Sequence, residues 1–84
     1  MTESTQNSPR RILDLVGLYC PEPVFRTRKE LDSMAVGETL EVIADDPASE
    51  EDIQSLLRRL GHQLLRLWKT GREIHFLIKK TKQT

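Results

Sequence analysis

"HQLLRLWKTGREIHFLIKK", residues 62–80, decides the fold. Apolar and polar residues alternate on both sides of Thr70-Gly71, the two-residue period of a half-covered strand, and a glycine step between two such runs marks a hairpin turn. Two antiparallel strands therefore close the chain. Just upstream, in "SEEDIQSLLRRLG" (49–61), the period changes. Ile53, Leu56, Leu57 and Leu60 recur at i, i+3, i+4 and i+7, the stripe of an amphipathic helix. Ser49 stands as its N-cap, Asp52 at the N3 position of a capping-box-like start, and Gly61 at its C-terminal end.

The first half of the chain repeats the alternation of strand and helix. "RILDLV" (11–16) is a strand with Leu13 and Leu15 on one face and Ile12, Asp14 and Val16 on the other. A helix follows from Glu22 to Met34, turning Val24, Thr27, Leu31 and Met34 or Ala35 inward, and Gly37 stops it. "ETLEVIA" (38–44) is a second strand, ended by "DDPAS". The order is βαβαββ. Two helices with one apolar stripe each are best satisfied by packing on one face of a mixed four-stranded sheet, an α+β two-layer sandwich with its first two strands parallel. Residues 1–9 form a polar, unpatterned tail, and residues 10–81 a single domain.

Composition narrows the function classes. At 84 residues there is room for one modest core and no second domain. No apolar run is long enough to cross a membrane, and "MTESTQNSPRR" lacks the apolar core of a signal peptide. Thirteen basic residues balance thirteen acidic ones, so overall charge offers nucleic acid no general attraction. The basic residues cluster instead, at Arg10 and Arg11, at Arg26, Arg28 and Lys29, and at Lys79, Lys80 and Lys82; the terminal lysines read as a solvated face. A monomer is expected, because sheet and helix stripes absorb most of the apolar residues.

A single cysteine excludes an internal disulfide, and a reducing cytosol is its natural compartment. Cys20 precedes Pro21 in "GLYCPEPVF" (17–25), at the expected start of the first helix. There, unpaired backbone N–H groups and the positive end of the dipole favour a thiolate, and Arg26 and Arg28 add positive potential, so the thiol pKa is expected below its ordinary value. Pro21 fixes the start of the helix and Pro23 stiffens its first turn. The residues alone leave open whether Cys20 is reactive or an inert small hydrophobe. They leave open, too, whether Glu22 orients the thiol or complements the dipole, and whether Asp45-Asp46-Pro47 is a plain turn or a partner-contact loop. His62 and His75 are read as surface or partly packed residues and Trp68 as a packed strand aromatic; a zinc site would need both histidines, Cys20 and a carboxylate to converge.

The stretch "LDLVGLYCPEPVFRTRKEL" (13–31) resembles the TusA/SirA-like sulfur-carrier family, whose mark is a CPxP motif at the start of the first helix. Here the motif is Cys20-Pro21-Glu22-Pro23, and the likeness continues through "GETLEVIADDPAS", Asp52-Ile53 and "FLIKK". The resemblance implies a fold similar to the C-terminal domain of bacterial translation initiation factor three. It implies that Cys20 takes sulfane sulfur as a persulfide from a cysteine desulfurase or a rhodanese-like donor and relays it to an acceptor protein, with no metal or organic cofactor. Routes served in the family are tRNA 2-thiouridine formation, molybdenum-cofactor maturation and sulfur oxidation. By position, Pro21, Glu22 and Pro23 hold the loop, and Arg28 and Asp46, with Arg26 and Lys29 beside them, meet the partner. Phe25 and Arg26 match no fixed family residue, which bears on partner choice. The competing reading is a regulatory or RNA-binding module of the same fold, which zero net charge and the lack of interleaved aromatic and basic residues disfavour.

Overall fold

The computed structural model describes residues 11–82, so the tail at residues 1–9 lies outside the described residues. Six elements follow in the order read from the sequence: β1 (Arg11–Asp14), α1 (Glu22–Asp32), β2 (Thr39–Ala44), α2 (Ala48–Leu60), β3 (Gln63–Thr70) and β4 (Glu73–Lys79). They build one sheet in the order β1-β2-β4-β3, with β1 parallel to β2 and the other neighbours antiparallel. Alternation along β2 and β4 puts Leu40, Val42 and Ala44 in register with Ile78, Phe76 and Ile74. These three rungs, with Leu15, Leu31, Met34, Ile53 and Leu57, form the core between the sheet and both helices. Burying Phe76 in full makes it the largest apolar contributor, a side chain whose truncation costs about 3 to 5 kcal/mol.

The opposite face of the sheet carries a stack. Trp68 lies against His75 with ring centroids 4.9 Å apart, and the Arg66 guanidinium carbon sits 4.7 Å from the indole centroid. Glu41 Oε2 approaches His75 Nδ1 at 3.2 Å. Among the described residues no helix is long and apolar enough to cross a membrane.

Three sequence expectations are corrected. Ser49 is not the N-cap of α2: it lies inside the helix, buried, with its hydroxyl unpartnered. Pro47 occupies that position, and Asp46 before it receives the first two N–H groups, its carboxylate accepting from the Ala48 N–H at 3.2 Å and its carbonyl from the Ser49 N–H at 2.9 Å. With those first N–H groups taken by the residue before Pro47, the helix starts at Ala48. The terminal lysines are not all solvated. Lys80 is fully buried and donates to the carbonyls of Leu31 and Met34 at 2.7 and 2.8 Å, closing the C-terminal end of α1. Nor is the apolar surface as fully absorbed as expected, since Ile12, Val16, Tyr19, Phe25, Val36 and Leu65 stay exposed. Gly61 ends α2 as expected, at φ 83°, with its N–H on the Leu57 carbonyl.

Candidate functional site

The loop from Leu15 to Pro21 leaves the C-terminal end of β1 and enters α1, and acidic residues of the facing turn hold it in place. Asp45 accepts from the Gly17 N–H at 2.9 Å and Asp46 from the Cys20 N–H at 2.8 Å. Within the loop, the Leu18 N–H reaches the Leu15 carbonyl and the Glu22 N–H the Tyr19 carbonyl. Gly17 adopts φ 91°, a left-handed turn that favours glycine. The Asp-Asp-Pro turn therefore does more than end β2. Its two carboxylates fix the backbone that presents Cys20.

Cys20 is exposed, and it is not the N-cap of α1. Pro21 occupies that position, the helix begins at Glu22, and the Phe25 N–H bonds to the Pro21 carbonyl. Pro23 falls in the first turn, where no intrahelical bond is lost, and its ring is buried. The thiol turns away from its own helix toward α2 and donates to Asp52 Oδ2 at 3.3 Å. That hydrogen bond, then partial desolvation and the charges of Asp52 and Asp46, raise the thiol pKa above its ordinary value. The expected lowering by the helix end and the arginines is thus overturned. Carboxylates, not cations, are the charges nearest the sulfur, because the acidic turn and the start of α2 converge on the loop.

The other expected site residues divide. Glu22 pairs with Arg26 Nε at 3.2 Å across one turn, so its carboxylate serves its own helix and does not orient the thiol. Arg28 and Lys29 are exposed on α1, and among the described residues no ion pair engages either. Asp46 uses both oxygens locally, on Cys20 and Ala48. Tyr19 and Phe25, on either side of the CPxP motif, are 71% and 62% exposed, a large apolar surface flanking the loop that carries the thiol. An open groove lined by Tyr19, Asp45, Pro47 and Arg72 adjoins the loop. Among the described residues no three His, Cys, Asp or Glu side chains gather as a metal-holding group.

Asp52 is the residue the sequence reading missed. The sequence pattern assigns it to a capping box, but it stands at the edge of the apolar stripe, one turn before Leu56, where α2 runs beside α1. An acid flanking a buried stripe at the end of a helix faces the neighbouring element, and that was the available signal.

The family model described as sulfurtransferase TusA matches residues 11–80. A protein of Archaeoglobus fulgidus named "Putative sulfur carrier protein" is 46% identical over 72 residues, covering 84% of this chain and 94% of its own. Sulfur carrier protein TusA of Allochromatium vinosum is 42% identical over 69 residues, covering 82% of this chain and 91% of its own. The crystal structure of a SirA-like protein from Desulfitobacterium hafniense superposes with a TM-score of 0.73 at 26% identity, covering 84% of this chain and 97% of that one. With the CPxP loop, the two-layer fold and a match running from β1 to the end of β4, the chain belongs to the TusA sulfurtransferase family.

Proposed function

We propose that this protein is a sulfur carrier in which Cys20 accepts sulfane sulfur as a persulfide and passes it to a cysteine of an acceptor protein. The observation that carries this reading is the placement of the chain's one thiol: exposed, on a loop fixed by two carboxylates and two prolines. In loading, the Cys20 sulfur, having lost its proton to the surrounding solvent or a group of the bound donor, attacks the outer sulfur of the donor's persulfide. The donor's S–S bond breaks, its cysteine leaves as a thiolate, and a new S–S bond forms on Cys20. Unloading is the same step with roles exchanged, so no electrons are gained or lost overall. A cysteine desulfurase or rhodanese-like protein supplies the sulfur. The acceptor belongs to a route such as tRNA thiolation, molybdenum-cofactor maturation or sulfur oxidation.

Such a carrier works by contact between two proteins, which fits the exposed Tyr19 and Phe25 around the thiol. The test is intact-mass analysis after incubation with a cysteine desulfurase and cysteine. The reduced protein should gain one sulfur, about 32 Da, as a persulfide. Cys20→Ser should gain nothing while keeping its circular dichroism and melting temperature, since the side chain is exposed. An unloaded wild type, or a serine variant that still takes up sulfur, overturns the assignment.

A further inference from the structure

The acceptor for the Cys20 thiol comes from a different element from the loop that carries it. Asp52 Oδ2, on α2, lies 3.3 Å from the sulfur, and Asp46 Oδ2 holds the Cys20 N–H at 2.8 Å. An ionised carboxylate accepts a hydrogen bond from a thiol that keeps its proton; facing a thiolate it meets a like charge instead. On the α1 side, Arg26 is drawn to Glu22 at 3.2 Å, so that cation is engaged within its own helix. The electrostatics of the free protein thus favour the protonated sulfur, in agreement with the raised thiol pKa.

We infer that Asp52 is a positioning residue for Cys20: its carboxylate holds the thiol protonated and oriented between the two helices, and the thiolate is released when a bound protein neutralises that carboxylate. This rests on the carrier reading above. An exposed thiol that ionises readily is open to oxidation and alkylation by small molecules. A carboxylate partner suppresses those reactions in the resting protein. Once a cationic group of the donor pairs with Asp52, both the hydrogen bond and the negative charge cease to oppose ionisation, so reactivity is confined to the complex.

The experiment uses the full-length, reduced protein and iodoacetamide, with alkylation followed by intact mass from about pH 6 to pH 10, a span that brackets the ordinary thiol pKa. Asp52→Asn keeps the shape of the side chain and removes its charge. Its rate midpoint should fall below that of the wild type, and its rate at neutral pH should rise roughly threefold, the gain in thiolate outweighing the lower nucleophilicity of a more acidic thiol. Asp52→Glu keeps the charge and should hold the midpoint near the wild-type value. A midpoint in Asp52→Asn that is unchanged or higher overturns the inference, as does an equal fall in both variants. Titration of the wild-type thiolate by its ultraviolet absorbance needs no variant, and a midpoint at or below that of free cysteine is an equally adverse result. Neither measurement involves sulfur transfer. A failure of Asp52 in this role is therefore separate from a failure of sulfur loading.

Discussion

Burial and nearby ammonium groups act together on His62. The ring is enclosed beneath β3 and the end of the chain, Nδ1 accepts from the Thr81 N–H at 3.3 Å, and Nε2 is buried without a partner. Desolvation first, then the charge of Lys80, with a smaller contribution from Lys82, depress its pKa below the ordinary histidine value, against an opposing pull from Asp32. The unfolded chain therefore binds a proton at a pH where the folded protein refuses it. Stability from this residue is complete above the unfolded value of about 6.5 and is lost as pH falls through the lower, folded value. The melting temperature should decline as pH falls from about 6.5 through the folded value, and His62→Asn, which retains an acceptor but does not titrate, should decline less steeply over the same range. Parallel pH profiles for the two proteins would remove His62 from the account. The sequence placed this residue at the surface or partly packed beside a helix end, because its burial depends on Thr81 and Lys82 folding back across Gly61, a contact between positions far apart in the chain.

At the scale of elements, β4 owes its place in the middle of the sheet to Ile74, Phe76 and Ile78, all buried, while β3 offers only Leu64 and Leu67 to the same face and takes the edge. After β4 the chain turns Lys80 inward, where its ammonium donates to two carbonyls at the end of α1. That bond joins the last strand to the first helix. Lys80→Met preserves much of the volume but removes both bonds; the Leu31 carbonyl keeps the Met34 N–H at 3.1 Å, while the Met34 carbonyl loses its Nζ donor, so unfolding free energy should drop by about 1 to 3 kcal/mol, read as a lower denaturant midpoint with an unchanged slope. A loss under about 0.5 kcal/mol would make the lysine a bystander. Both helices, the four strands and the hairpin were legible because each carries its own period, 3.6 or 2, within a short window. Lys80 and the true start of α2 were not. A lysine next to two others in sequence has the pattern of a solvated face, and nothing local shows that a helix end 46 to 49 residues earlier will lie within reach.

Over the whole molecule, charge is arranged by region although its sum is zero. Asp45, Asp46 and Asp52 gather at the thiol, Tyr19 and Phe25 stand exposed on either side of it, and Arg28 and Lys29 extend along α1. A partner seated over Cys20 would meet an acidic and apolar centre with a basic margin. Charges at the rim of such a contact act on the rate of encounter more than on its final strength, and salt screens them over about 10 Å at 0.1 M. Arg28→Glu should therefore slow sulfur loading from a cysteine desulfurase by roughly threefold to tenfold at low ionic strength. The deficit should shrink as salt is raised, while the melting temperature stays near that of the wild type, because the side chain is exposed. The dependence on salt separates this role from a packing defect, which would persist at any ionic strength. If loading by the reversed protein matches the wild type at low salt, the basic margin of α1 takes no part in docking and recognition falls to the acidic turn and the two aromatic side chains.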